Sequence, residues 1–565
     1  MQIPQTRSVS YRAVSRVLPG AGTLAVLLLV WLVSCSIPAA PAGSPALPET
    51  VPESRSSGSL RSLIAAASLS VPVSQPDWQR IRAFYAARDY VPVWTDGDQL
   101  RNDAWFVIDQ LARADEDGLF PGEYHVNEIR QCIDGSASPV AGSLELLLTD
   151  GVLRYISDIR TGRLDPQTAD ADWHIRPPAV DPVAELAAIT ASPSIQHALQ
   201  QLIPRHRDYQ RLRSLLQSLR ALESTGGWPV VPPGEALERG AYDQRIHVLR
   251  HRLMLSGYLA GFDYRDTYHF DATLEAAVRE FQTVHGLDAD GIVGRKTLAA
   301  LNVPVSERIQ QILLNMERWR WMPDELGERH VLVNMAGFEL QAVEDDETVM
   351  EMRVIIGRPY RSTPAFIGDM RYLVFNPYWN VPHKLAILDL LPKQQANPDY
   401  LESKGFRVYA DWSKGAPELD PGDIDWLNYT PETFAYRLRQ DPGEVNSLGR
   451  IKFMLPNPYA VYLHDTPSRH LFDRSVRTFS SGCIRIEEPV RLANFVLNNG
   501  SDGAMLDVLE AINRGENQSV SLPRAVPVYL LYQTVWVDDA GRANFRDDVY
   551  GRDVLVLRAW SSGTG

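Results

Sequence analysis

The chemistry in this chain concentrates on two residues. Leu463-His464-Asp465 closes a run with strand character, and Cys483 lies nineteen positions after the histidine, inside Ser480-Ser481-Gly482-Cys483-Ile484-Arg485. A thiol is a weak nucleophile until a neighbouring imidazole accepts its proton or stabilises the thiolate. The glycine before the cysteine permits close backbone approach, so the amides around 482 and 483 are candidates to hold a developing oxyanion. Together these residues suit acyl transfer through cysteine. A zinc site with His464, His470 and Cys483 as ligands is the competing reading. It lacks an HExxH helix, and Arg485 would stand beside the cation. Phosphate-cradling loops and the Gly-x-Ser-x-Gly elbow are absent, and no cofactor or metal is expected. His383 takes a surface role by default.

His464, fifteen intervening residues and Ser480-Ser481-Gly482-Cys483-Ile484-Arg485 resemble the signature of L,D-transpeptidases with a YkuD-type catalytic domain. Gly357-Arg358-Pro359-Tyr360-Arg361-Ser362-Thr363-Pro364 and Gly449-Arg450-Ile451-Lys452-Phe453 resemble internal blocks of the same domain. With its helical amino-terminal region, its insertion and the tail Asn544 to Asp553, the chain is similar to the long YcbB subgroup. One departure stands out: Ser481 occupies the place where most such enzymes carry histidine. The resemblance implies that Cys483 is the nucleophile and His464 its general base and acid. It also implies that the Asp465 backbone carbonyl orients the ring and that the Gly482 amide serves the oxyanion. Ser480 and Ser481 would shape the loop, and Arg485 would anchor the loop or a substrate carboxylate. Tyr462 and Trp379 would line the pocket or pack in the core. The implied reaction joins peptidoglycan stem peptides by a 3→3 link through a cysteinyl thioester, and carbapenem-type β-lactams would acylate the same cysteine. An L,D-carboxypeptidase or endopeptidase would use the same pair with water as acceptor; a non-catalytic wall-binding scaffold would not use it at all.

A framework larger than one core must position these residues. At 565 residues the chain divides into several modules of about 150 residues each. Hydrophobic residues at 45% and charged residues at 22% exclude wholesale disorder. A net charge of −14 gives no general attraction to phosphate backbones, so nucleic acid is not an expected partner. The expected fold is multidomain α+β. Helical periodicity (Ile81, Phe84, Tyr85; Leu146, Leu147, Val152, Leu153, Ile156) marks a scaffold over 76–237. The stripe Leu274, Ala277, Val278, Phe281 belongs to a module over 238–303 that resembles the small three-helix peptidoglycan-binding domain. Its Asp288-Ala289-Asp290-Gly291 turn lacks the further acids of a calcium loop. Short β-branched runs (Val331 to Asn334, Leu340 to Val343, Met352 to Gly357, Tyr372 to Pro377, Arg450 to Met454, Tyr459 to Leu463) predict a mostly antiparallel catalytic domain over 304–510, which the resemblance makes a β-sandwich. Helical text and Pro/Gly loops over about 378–440 read as an inserted lid. The tail 511–565, with Val526 to Tyr532, is expected to pack back on the scaffold.

The amino terminus sets the compartment. Arg7, Arg12 and Arg16 precede a short apolar run ending in Leu32-Val33-Ser34-Cys35, which looks like a lipobox. Residues 1–34 are then a lipoprotein-type signal peptide, Cys35 the acylated residue, and 35–75 a Pro/Ser/Ala-rich tether. Ser36, standing where an inner-membrane retention aspartate would be, favours the outer membrane for a periplasmic, membrane-anchored protein. With three cysteines in all, a disulfide framework is excluded; Cys132 reads as a buried free thiol.

Overall fold

The computed structural model describes residues 55–562, apart from 68, 70–72, 98, 136–141, 262–266 and 499–506. The signal segment, Cys35 and most of the tether lie outside the described residues. Among those described, no helix is long and apolar enough to cross a membrane. The end of the expected tether is structured: Arg55–Ala66 is a helix that buries Leu60 and Ile64. These two residues, four apart, share one helical face, and each buried aliphatic side chain contributes about 1.5–3 kcal/mol.

The helical region centres on Ser143–Thr161, buried along most of its length. Its Glu145 is a satisfied buried carboxylate, accepting the amides of Trp94 and Thr95 at 2.9 Å each and the Tyr85 hydroxyl at 2.7 Å. The module at 238–303 consists of helices Arg245–Leu255, Ala272–Val284 and Arg295–Leu301 around Leu249, Leu253, Val278 and Phe281, a core of its own.

Nine strands make the catalytic sheet: β1 (Arg329–Asn334), β2 (Glu339–Glu344), β3 (Glu347–Gly357), β4 (Phe366–Phe375), β5 (Ile451–Met454), β6 (Leu463–His464), β7 (Thr478–Ser480), β8 (Ile484–Ile486) and β9 (Gln518–Leu531). The pairing order is β7-β3-β8-β6-β5-β4-β9-β1-β2, and β2 also pairs β3, closing a ring with β7 attached at the end of β3. Most pairs are antiparallel; β6–β8, β9–β1 and β7–β3 are parallel. Two expectations are corrected here. Tyr459 to Tyr462 is not strand: Asn457 caps this turn from inside, its amide donating to Val461 O at 2.7 Å and its Oδ1 accepting from Tyr459 N–H at 3.0 Å. The apolar run Val526 to Tyr532 is not a tail segment laid on the scaffold: up to Leu531 it is part of β9, between β4 and β1, and Val528 belongs to the core shared with the helical region. The tail reaches the helical region at more than one place: Arg211 Nη1 donates to Val537 O at 3.1 Å and binds Asp539 at 3.0 Å, and the last helix, Arg552–Ser561, has Asp553 bound to Arg318 at 2.6 Å and Arg552 facing Asp170 and Asp172.

The interior of the sheet and that of the helical region form one continuous core, in which Leu153, Trp173, Trp321, Leu373 and Val528 all take part. The insertion is different. Its strands Trp379–Asn380, Phe406–Tyr409, Glu418–Leu419 and Arg437–Gln440 form a separate sheet around Val381, Leu390, Val408, Trp426 and Leu438. A body with its own core can shift as a unit.

Candidate active site

The site is built by the register of three short strands. β6 and β8 run parallel with His464 beside Arg485, and Ile484 N–H donates to Tyr462 O at 3.1 Å. Side chains alternate along a strand, so Tyr462, His464, Cys483 and Arg485 emerge on one face. Lys452 of β5 lies opposite His464 on the other side, and its Nζ sits 3.9 Å above the Tyr462 ring. The intervening Leu463 and Ile484 point into the core, where both are fully buried.

His464 Nδ1 lies 2.5 Å from the Asp465 carbonyl oxygen, which holds Nδ1–H and leaves Nε2 as the accepting nitrogen. The Asp465 carboxylate turns away and accepts the Arg450 amide at 2.8 Å. Burial, then the charges of Arg485 and Lys452, push the His464 imidazole down to about 3. Burial also raises the Cys483 thiol; hydrogen bonds from Tyr462 and the charges of Lys452 and Arg485 pull the other way. The resting pair is therefore neutral thiol and neutral imidazole, and the part-exposed thiol donates to the Ala460 carbonyl at 3.8 Å. Lys452, Arg485 and Arg358 form a cationic rim; burial lowers Lys452, and burial with the Arg358 charge lowers Arg485. Among the described residues none of the three is in an ion pair.

The loop that carries Cys483 is braced from several directions. Gly482 adopts φ +116°, and a Cβ on Gly357 would come within 3.1 Å of the Gly482 Cα and closer still to the Arg361 carbonyl, so both positions demand glycine. Thr363, fully buried, accepts Gly357 N–H at 3.0 Å and donates to Gly482 O at 2.8 Å. Tyr550 donates to Gly357 O at 2.6 Å. Ser480 Oγ bonds the Cys483 carbonyl at 2.5 Å and accepts Gly482 N–H at 3.1 Å. The Gly482 amide, expected to serve the oxyanion, thus donates to Ser480 here. Exposed Ser481 accepts from Arg361 Nη1 at 3.2 Å, and the same guanidinium clasps Asp389 of the insertion, with Nη2 to Oδ1 at 3.0 Å.

Other candidates fall elsewhere. Trp379 packs against Phe406 in the insertion, ring centroids 5.8 Å apart, and His383 bonds the Phe434 carbonyl at 2.8 Å in the same body. His470 is exposed on the turn Arg469–Asp473, apart from the pair. Among the described residues no group of three or more His, Cys, Asp or Glu is placed to hold a metal ion. Cys132 and Cys483 are both free, and Cys132 is part-buried rather than enclosed. Sequence reasoning did not assign roles to Lys452, Arg361, Thr363 and Tyr550, although all four stand inside segments whose motifs it singled out.

Three family patterns match along the chain: a scaffold domain over 79–216, a "Putative peptidoglycan binding domain" over 242–301 and the L,D-transpeptidase catalytic domain over 328–516. A Haemophilus influenzae protein named "Putative L,D-transpeptidase" is 30% identical over 349 residues, covering 60% of this chain and 69% of that protein. Among solved structures, the L,D-transpeptidase from Mycobacterium smegmatis matches at 12% identity and a TM-score of 0.19, covering 36% of this chain and 58% of that one. An L,D-transpeptidase from Stackebrandtia nassauensis matches at 14% and 0.20, covering 54% and 96%. Those two structural likenesses carry no weight at such values. The catalytic-domain pattern spans both His464 and Cys483, and on its relation to the Haemophilus influenzae protein the chain belongs to the L,D-transpeptidase family.

Proposed function

We propose that the protein is a peptidoglycan L,D-transpeptidase that forms 3→3 crosslinks through a cysteinyl thioester at Cys483. The observation that carries this reading is the shared face of Tyr462, His464, Cys483 and Arg485, fixed by the β6–β8 register. Cys483 Sγ attacks the carbonyl of the third residue of a tetrapeptide stem while its proton passes to His464 Nε2. That proton then leaves with the amine of the departing D-alanine. A side-chain amine of a neighbouring stem attacks the thioester, gives its proton to His464 and restores the thiol. Both bonds exchanged are acyl bonds, so no external energy source is required. The unpaired cations Lys452, Arg485 and Arg358 suit the carboxylates of such a stem. The insertion, clasped through Arg361 and Asp389, would exclude water so that an amine resolves the thioester. We further infer export as a lipoprotein acylated at Cys35 and held at the outer membrane.

Purified protein incubated with tetrapeptide stems should accumulate crosslinked dimer with release of D-alanine, and a carbapenem should add one mass adduct. Cys483→Ala should abolish both. Tripeptide without dimer would assign a hydrolase instead, and an adduct that persists in Cys483→Ala would remove Cys483 as nucleophile.

A further inference from the structure

A strap of the helical region, Asp172-Trp173-His174, reaches the segments that hold Cys483. It leaves the short helix Pro166–Ala169 by a turn in which Trp173 N–H donates to Asp170 O at 2.9 Å. Trp173 then pairs with Ala365 as a parallel bridge. Ala365 N–H donates to Asp172 O at 2.9 Å, and His174 N–H donates to Ala365 O at 2.8 Å. The Trp173 indole is fully buried against Trp321, ring centroids 5.2 Å apart, which fixes the strap at its centre.

The two side chains that flank the indole engage different segments. Asp172 Oδ2 accepts the Ser362 hydroxyl at 2.5 Å and Arg552 Nη2 at 3.3 Å, and the same Arg552 nitrogen donates to Thr363 O at 2.9 Å. Thr363 in turn donates to Gly482 O, the carbonyl of the peptide that leads into Cys483. His174 stacks on Tyr459, ring centroids 4.4 Å apart and 18° from parallel, and Tyr459 also meets Phe366 at 4.9 Å. The next residue, Ala460, supplies the carbonyl to which the Cys483 thiol donates, and it stands at φ +54°. A non-glycine residue keeps that conformation only where its surroundings enforce it. Asn457 does so by accepting the amides of Tyr459 and Val461 at 3.0 and 3.2 Å, and the His174 stack fixes the Tyr459 ring.

We propose that Asp172 and His174 are positioning residues for Cys483, so that the helical region sets the place of the thiol by two routes. One route runs through Ser362 and Thr363 to Gly482, the other through Tyr459 to Ala460 O. The inference rests on the reading of Cys483 as the nucleophile. A misplacement of about 1 Å at a reacting atom can slow a reaction about a hundredfold, so residues that act through one or two others govern rate without touching substrate. Their loss lowers the rate of bond formation and leaves the binding of the acyl donor in place.

The test is carbapenem acylation of the full chain, followed by intact mass over a series of carbapenem concentrations so that limiting rate and half-saturating concentration separate. Asp172→Ala should lower the limiting rate about tenfold and His174→Ala severalfold, with half-saturation within about twofold of the parent. Conservative variants restore the contacts. Asp172→Asn keeps an acceptor for Ser362, His174→Phe keeps the stack on Tyr459, and each should recover to within about threefold of the parent rate. Leu186→Ala controls for stability alone. This buried residue belongs to helix Pro182–Ala191, which packs on helices Gln75–Ala86 and Ser143–Thr161, and its loss should lower the unfolding midpoint while acylation stays at the parent rate. Limiting rates within about twofold of the parent in both alanine variants, an equal slowing in Leu186→Ala, or no recovery in His174→Phe would overturn the proposal while the parent's adduct at Cys483 stands. A parent that forms no adduct at Cys483 would instead overturn the nucleophile assignment, and the inference with it.

Discussion

Replacing Thr363 by valine tests whether the nucleophile loop is held by the hydroxyl beneath it. Valine preserves shape and burial, so the loss is confined to two hydrogen bonds: Gly357 N–H to Oγ1 at 3.0 Å, and Oγ1–H to Gly482 O at 2.8 Å. Each buried backbone group left without its partner costs about 1–3 kcal/mol, so about 2–4 kcal/mol is expected once the loop relaxes. Relaxation is restricted, because Gly357 and Gly482 pack backbone to backbone and Tyr550 holds Gly357 O. If the cost falls on the reactive loop conformation, each 1.4 kcal/mol slows acylation about tenfold. The expected result is at least a tenfold slower carbapenem acylation, followed by intact mass, with a fall of several degrees in the unfolding midpoint. Thr363→Ser keeps both hydrogen bonds and should acylate at close to the parent rate. Acylation within twofold of the parent in Thr363→Val, at an unchanged midpoint, would refute the bracing argument.

Three further outcomes follow from the same geometry. With the Cys483 thiol raised by burial and the His464 imidazole held near 3, no ion pair preexists, and iodoacetamide labelling in a Cys132→Ser background should climb through pH 9. A labelling plateau below pH 7 would mean a stored thiolate and contradict this. Asp389→Asn weakens the clasp on Arg361, a part-buried bidentate pair, and should raise the ratio of tripeptide to dimer severalfold as water gains access; an unchanged ratio would detach the insertion from acceptor choice. Tyr550→Phe removes one donor to Gly357 O, about 1 kcal/mol, and should slow acylation two- to tenfold without altering the pH profile, whereas a shifted profile would mean that Tyr550 acts on the titrating pair directly.

The catalytic-domain family, signalled by the motif around His464 and Cys483, and five of the strands were legible because both are local: a short motif and alternation over a few residues. What escaped depends on contacts far apart in the chain. The run Val526 to Tyr532 contains Pro527, which argues against a central strand. In the fold, Pro527 opposes Asp369 next to the register shift between Ser521 and Val526, where a missing N–H is tolerated. Helix Arg55–Ala66 shows a short stripe of Leu60, Leu63 and Ile64 within Ser-rich text, and its core partners come from elsewhere in the chain. Lys452 is twelve positions from His464 and adjoins it only through the β5–β6 register. Thr363 meets its partner Gly482 across 119 positions.

Register also decides the protonation state, and this changes the account of activation. Proximity of cysteine and histidine alone suggests a thiolate ready in the free enzyme. Here two cations share the face with the imidazole and oppose its protonation, while burial opposes ionisation of both partners. On the proposed function, a stem peptide would bring carboxylates whose pairing with Lys452 and Arg485 removes the charges that add to burial in lowering His464, so the imidazole would become a stronger base with substrate seated while burial, the larger cause, remains. Under the proposed function the Cys483 thiol would stay protonated between turnovers, and a protonated thiol is the form that resists oxidation and stray electrophiles.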